Sequence, residues 1–81
     1  MALELEKTGD NQAAIQTFME LLTEDPDYVG SYYQLGRLLE KVKEDQMAIE
    51  WYEKGVAVAR QAGEKRAQNE LQSALDELLY D

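Results

Sequence analysis

The sequence repeats itself with a period of 34 residues. Shifting the chain by that distance superimposes six identical residues within one stretch of eleven. The matching pairs are Leu5 and Leu39, Glu6 and Glu40, Lys7 and Lys41, Gln12 and Gln46, Ala14 and Ala48, and Ile15 and Ile49. In a sequence rich in Ala, Leu, Glu, Gln and Lys, such a period indicates stacked helix-turn-helix units.

Apolar residues recur every three to four positions, which is the spacing of amphipathic helices. The pattern predicts five helices and no strand. They cover Ala2–Thr8, which Gly9 ends, and then Asn11–Glu24, about Asp27–Val42, Asp45–Ala62 and about Glu64–Leu79. Pro26 separates the second and third helices because the residue before proline disfavours helical dihedrals. Gly63 ends the fourth because glycine adopts the left-handed cap without penalty.

The two repeats resemble the tetratricopeptide repeat family, whose pattern is W-x2-L-G-x2-Y followed by A-x3-F and P. In the second repeat the pattern falls on Tyr32, Leu35, Gly36, Leu39, Ala48 and Tyr52, with Tyr32 replacing the tryptophan and Leu39 the tyrosine. In the first repeat it falls on Met1, Ala2, Leu5, Ala14, Phe18 and Pro26. The chain also resembles small bacterial proteins that contain about two such repeats and a closing helix.

The resemblance implies an all-α fold of two antiparallel helix pairs plus a C-terminal solvating helix. We expect one domain over residues 1–81, with a first repeat at 1–28 whose opening helix is short or truncated. A second repeat at 29–62 and a capping helix at 63–81 complete it. The expected core consists of Ala14, Phe18, Tyr32, Leu35, Gly36, Leu39, Ala48 and Tyr52.

Composition argues against several classes of function. Histidine and cysteine are absent, which removes disulfides, the usual transition-metal ligands and the most common general base. We therefore expect no enzyme activity, no cofactor and no metal site. The net charge of −9 argues against binding to nucleic acid or to an anionic membrane surface. No segment is apolar enough to span a membrane, and the start lacks the basic region of a signal peptide, so we expect a cytoplasmic protein.

The charge is unevenly distributed along the chain. Residues 1–36 carry a net charge of −6 and residues 67–81 carry −4, whereas residues 37–66 carry +1. The sequence therefore predicts positive potential in the middle of the molecule.

A candidate binding surface lies on the helix that follows Pro26, opposite its core stripe. It comprises Tyr33, Gln34, Arg37 and Lys41, with Lys7, Lys65, Arg66 and Asn69 as further contributors. In the resembled family this face lines a concave groove that receives peptides, and some members clamp a carboxylate there with Lys and Asn. Tyr33 and Gln34 match that clamp poorly, and an ordinary solvated face explains the same residues equally well.

Two functions follow from these residues. The first is binding of a partner protein or an extended peptide in the groove. The alternative is a structural module that docks on other domains or forms a weak homodimer through Trp51, Val58 and Tyr80, without a peptide ligand. Trp51 falls off the apolar stripe of its helix, so we expect its ring to be only partly buried, and the simpler explanation is that it covers apolar surface at an edge.

Overall fold

The computed structural model describes the backbone of residues 2–80 and the side chains of residues 11–80. Over this range the chain forms four α-helices and no strand: α1 (Ala2–Glu24), α2 (Val29–Lys41), α3 (Asp45–Ala62) and α4 (Lys65–Leu79). Short connections join α2 to α3 and α3 to α4, so neighbouring helices run antiparallel. The all-α prediction is confirmed.

The predicted break at Gly9 is wrong, since α1 runs through it without interruption. Glycine in a helix interior costs only about 1 kcal/mol relative to alanine, so a single glycine need not end a helix. A separate arm over residues 2–8 would also be too short to be stable by itself. At the equivalent place in the second repeat, Lys43 has a φ of 65° and lies in the turn that follows α2.

The remaining helix ends follow the sequence signals closely. Gly63 adopts the predicted left-handed conformation, with a φ of 76°. Its N–H donates to the carbonyl oxygen of Arg60, and the N–H of Glu64 donates to that of Ala59 at 2.9 Å. Helix α3 therefore stops at Ala62 and the chain reverses into α4.

The core lies where α3 packs between α2 and α4, and among the described residues α1 packs on α2 alone. Of the predicted core, Tyr32, Leu35, Gly36, Leu39, Ala48 and Tyr52 are buried, as expected. Helix α4 adds Leu71, Ala74 and Leu75.

Ala14 and Phe18 are intermediate in exposure, so they are less buried than the rest of the predicted core, although Phe18 packs against it. They occupy the same repeat positions as Ala48 and Tyr52, which are fully buried. The difference arises because the described part of α1 contacts one helix, α2, whereas α3 has a helix on each side.

Two hydrogen bonds and one close approach fix α2. The hydroxyl of Tyr32 donates to the carbonyl oxygen of Pro26 at 2.8 Å, which ties α2 to the preceding loop. The ring of Tyr52 lies directly against Gly36, where a Cβ would overlap it. The hydroxyl of Tyr52 donates to the Glu40 carboxylate at 2.5 Å. The spacing of α2 and α3 therefore depends on a glycine at position 36.

Replacement of Gly36 by alanine tests this close approach. We expect Gly36→Ala to lower the free energy of unfolding by about 1–3 kcal/mol, the usual scale for overpacking a core. Gly30→Ala is the matched control on the same helix, since no atom lies within 4 Å of its added Cβ. It should be neutral or stabilise by up to about 1 kcal/mol. Urea denaturation measures both variants, and equal effects would contradict the packing described.

Truncation of a leucine in α4 tests whether that helix is docked. Leu71 is 1% exposed, whereas Leu79 is 50% exposed. Leu71→Ala should destabilise the protein by about 2–5 kcal/mol, and Leu79→Ala should cost far less because little apolar area is lost. Thermal unfolding followed by circular dichroism measures the difference. Similar melting temperatures for the two variants would show that α4 does not pack as described.

Candidate functional site

A cleft lies between the exposed faces of α2 and α4. Its α2 wall presents Tyr33 and Arg37, and the guanidinium carbon of Arg37 lies 6.0 Å from the centroid of the Tyr33 ring. The Tyr33 ring in turn lies 6.2 Å from that of buried Tyr52, at an interplanar angle of 47°. Half-buried Tyr33 therefore forms an aromatic floor that rests on the core, beside an exposed cation.

The α4 wall of the same cleft is polar. It is formed by Asn69, Glu70, Ser73 and Glu77 around buried Ala74. These residues recur every three to four positions, so they follow one stripe of α4. The cleft has a volume of about 250 Å³, enough for one or two side chains of a ligand.

Two adjoining clefts extend the first toward the C-terminal ends of α2 and α4. One, of about 380 Å³, is lined by Glu40, Glu77, Leu78 and Tyr80. The other, of about 250 Å³, is lined by Arg37, Glu40 and Lys41. Shared residues connect all three into what we call the α2–α4 groove. Its polar and aromatic members are Tyr33, Arg37, Glu40, Lys41, Asn69, Glu70, Ser73, Glu77 and Tyr80.

The hydrogen bond from Tyr52 connects this groove to the core. Burial, and then the hydrogen bond to Glu40, raise the pKa of the Tyr52 phenol far above its usual range. Arg37 acts in the opposite direction but does not offset them. The phenol therefore keeps its proton, and it donates to Glu40 throughout the physiological pH range.

The structure places only part of the predicted site in this groove. Tyr33, Arg37 and Asn69 line one cleft together, and Lys41 lines the adjoining one. Gln34, Lys65 and Arg66 are exposed but line none of the three clefts. The side chain of Lys7 lies outside the described residues.

Sequence reasoning missed the α4 wall except for Asn69. Glu70, Ser73 and Glu77 share a stripe opposite buried Leu71 and Leu75, so their spacing carried a usable signal. No repeat motif marks α4, however, and its groove-facing side becomes clear only once its packing on α3 is known.

The prediction of a positively charged binding surface is wrong for the α2–α4 groove. Beside Arg37 and Lys41, the groove contains three carboxylates, those of Glu40, Glu70 and Glu77. Counting charge along the chain assigned Glu70 and Glu77 to the acidic C-terminal segment. The fold brings that segment alongside α2 and makes the groove mixed in charge.

Trp51, the residue central to the self-association alternative, is half-buried, as the sequence predicted. Its ring lies 6.0 Å from that of Tyr32, and the amine of Lys54 lies 4.4 Å from its centroid. Much of the indole surface is therefore already in contact within the chain. Tyr80 is 84% exposed and lines the α2–α4 groove, and Trp51 lines none of the clefts of that groove.

Other types of site find no support among the described residues. Within this part of the chain, no three acidic residues come close enough together to hold a metal ion. None of the described helices combines the length and the apolar character needed to cross a membrane.

Comparison with known proteins identifies the family. The tetratricopeptide repeat model matches residues 1–28 and again residues 29–61. A solution NMR structure of a tetratricopeptide repeat domain protein from Salinibacter ruber is similar, with 40% identity and a TM-score of 0.82 over 95% of this chain and 78% of that one. A crystal structure of a tetratricopeptide repeat domain protein from Salinibacter ruber is also similar. It shows 40% identity and a TM-score of 0.80, and the match covers 95% of this chain and 86% of that one. No curated protein matches the chain.

Repeats of this type generally mediate protein–protein interactions. The two matched repeats cover most of the sequence, and the similar structures share the arrangement of the helices. The chain belongs to the tetratricopeptide repeat family.

Proposed function

We propose that this protein is a binding module, not an enzyme, and that it holds an extended segment of a partner protein in the α2–α4 groove. The observation that carries this proposal is the pairing of Tyr33 with Arg37 at the open cleft. An arginine guanidinium binds a carboxylate through two parallel hydrogen bonds. An adjacent aromatic ring offers contact area to the apolar part of the same ligand.

The α2 wall favours a ligand group that carries negative charge, whereas Glu70 and Glu77 on the α4 wall make the cleft as a whole mixed in charge. Arg37 and Lys41 lie one helical turn apart, and both are exposed. Asn69 and Ser73 on the opposite wall supply uncharged hydrogen-bonding groups. A partner with an acidic side chain or a free C-terminal carboxylate fits this end of the groove. Because the charges are exposed, binding should weaken as salt concentration rises.

The affinity should be modest. The groove is bounded by only two helices, so the contact area is smaller than that of a standard protein interface. A dissociation constant of about 10 µM is a reasonable scale for a native partner. Such an affinity suits a reversible adaptor, and a cytoplasmic location remains our prediction.

Self-association is less well supported. Tyr32 and Lys54 already contact the Trp51 ring, which reduces the apolar area that a second copy could cover. A weak homodimer therefore stays a prediction that sedimentation can test, and groove binding is the function we propose.

A short peptide with a free C-terminal aspartate tests the role of Arg37. Titration of acetyl-Ala-Ala-Ala-Asp into ¹⁵N-labelled protein should shift the resonances of Tyr33, Arg37, Asn69 and Ser73. Arg37→Ala should weaken binding by about fivefold or more, the scale of one partly exposed charge-assisted contact. Raising the sodium chloride concentration should weaken binding to the unmodified protein as well.

Arg60→Ala is the matched control, because Arg60 is equally charged and exposed but lines none of the three clefts. It should bind the peptide as the unmodified protein does. Shifts confined to the acidic part of α1 around Glu20 and Glu24, with Arg37 unaffected, would show that the groove is not the binding site.

A further inference from the structure

We infer that Tyr52 is a positioning residue of the α2–α4 groove: its hydroxyl holds the Glu40 carboxylate away from Arg37, which keeps the Arg37 guanidinium available for an acidic ligand group. This inference rests on the proposed function, because it concerns the same groove. It assigns a role in binding to a side chain that is itself fully buried.

Arg37 and Glu40 are suitably placed to form an ion pair on α2. They are three positions apart, and opposite charges at that spacing on a helix attract each other. Both side chains line the same cleft. The structure nevertheless shows no ion pair between Arg37 and Glu40, or between Arg37 and any other carboxylate of the described residues. The guanidinium carbon lies 6.0 Å from the centroid of the Tyr33 ring.

The carboxylate of Glu40 has a different partner. It accepts a hydrogen bond of 2.5 Å from the hydroxyl of Tyr52. Because Tyr52 is buried and its ring packs against Gly36, the core fixes the position of this donor. A hydrogen bond to an ionised acceptor is stronger than one between neutral groups, whereas an ion pair between exposed side chains contributes little. The carboxylate therefore stays on the phenol.

The position of Glu40 determines how readily Arg37 binds a ligand. Without the phenol, the Glu40 carboxylate can turn toward Arg37, and an acidic ligand group must then displace it. The observed affinity falls with the fraction of molecules in which the binding group is available. Glu70 and Glu77 also line a cleft with Arg37, but they belong to α4. Neither is held by Tyr52, so a change at Tyr52 tests the contribution of Glu40.

Removal of the hydroxyl tests this role while the ring is retained. We expect Tyr52→Phe to weaken the binding of acetyl-Ala-Ala-Ala-Asp by about two- to fivefold, the scale of an exposed ion pair that the ligand must break. Titration followed by NMR measures the dissociation constant, and circular dichroism checks that the variant is folded. An unchanged dissociation constant would overturn the inference, and the proposed function would still stand if Arg37→Ala weakened binding.

Tyr32→Phe is the matched control. Tyr32 is also buried, and its hydroxyl donates at 2.8 Å to the carbonyl oxygen of Pro26. Its side chain lines none of the three clefts of the groove. This variant loses a comparable hydrogen bond and should bind the peptide as the unmodified protein does. Equal weakening by Tyr32→Phe and Tyr52→Phe would trace the effect to stability and overturn the inference.

Glu40→Gln tests whether the effect of Tyr52 passes through Glu40. This variant has no negative charge at position 40 and should bind the peptide at least as tightly as the unmodified protein. In the Glu40→Gln background, Tyr52→Phe should no longer weaken binding, because no carboxylate remains on α2 to pair with Arg37 at this spacing. The same two- to fivefold loss in both backgrounds would overturn the inference.

A measurement without peptide separates this inference from the proposed function. In the ligand-free protein, Tyr52→Phe should shift the Nε–Hε resonance of Arg37 as its guanidinium pairs with Glu40. The shift should be much smaller in the Glu40→Gln background, and equal shifts would overturn the inference. If the unmodified protein fails to bind the peptide at millimolar concentration, the proposed function is wrong. The resonance of Arg37 still decides whether Tyr52 keeps that side chain unpaired.

Discussion

The contact between Tyr52 and Gly36 determines much of the structure. Tyr52 is fully buried, and its ring fills the space that a side chain at position 36 would need. Because the ring lies between α2 and α3 at Gly36, it sets the distance between the two helices there. A small residue opposite a large one is an efficient way to reach native packing density in so short a chain. The same packing of a large side chain against a glycine recurs at Gly55, where an added Cβ would lie 2.6 Å from the Cβ of Tyr32.

The two ends of the molecule differ because each helix needs neighbours to cover its apolar face. Helix α3 has α2 and α4 on either side, and its Ala48 and Tyr52 are completely buried. Over its described residues helix α1 packs on α2 only, so Ala14 and Phe18, at the corresponding positions, are only partly buried. In repeat proteins stability comes from interfaces between neighbouring units. We therefore expect α2, α3 and α4 to be the more stable part and α1 the first to open.

The sequence predicted what depends on local periodicity and missed what depends on tertiary contacts. The limits of α3, the left-handed Gly63 and the buried Tyr32 follow from spacing and backbone preference. Gly9 was predicted to end a helix, but a glycine ends one only where packing favours the turn, and the described structure continues α1 through it. Glu70 and Glu77 could be placed on a stripe of α4 from the sequence. That this stripe faces Arg37 depends on how α4 docks, and no motif encodes it.

The core and the α2–α4 groove are connected through Tyr52. Tyr52 is buried, yet its ring supports Tyr33 and its hydroxyl fixes Glu40, two residues that line the groove. Side chains on a helix surface usually lose conformational freedom on binding, at a cost of about 0.5–1.5 kcal/mol each. A residue already held by the core has less freedom to lose. The packing that stabilises the fold therefore also holds side chains of the groove in place. A substitution at Tyr52 would alter the binding surface as well as the stability of the protein.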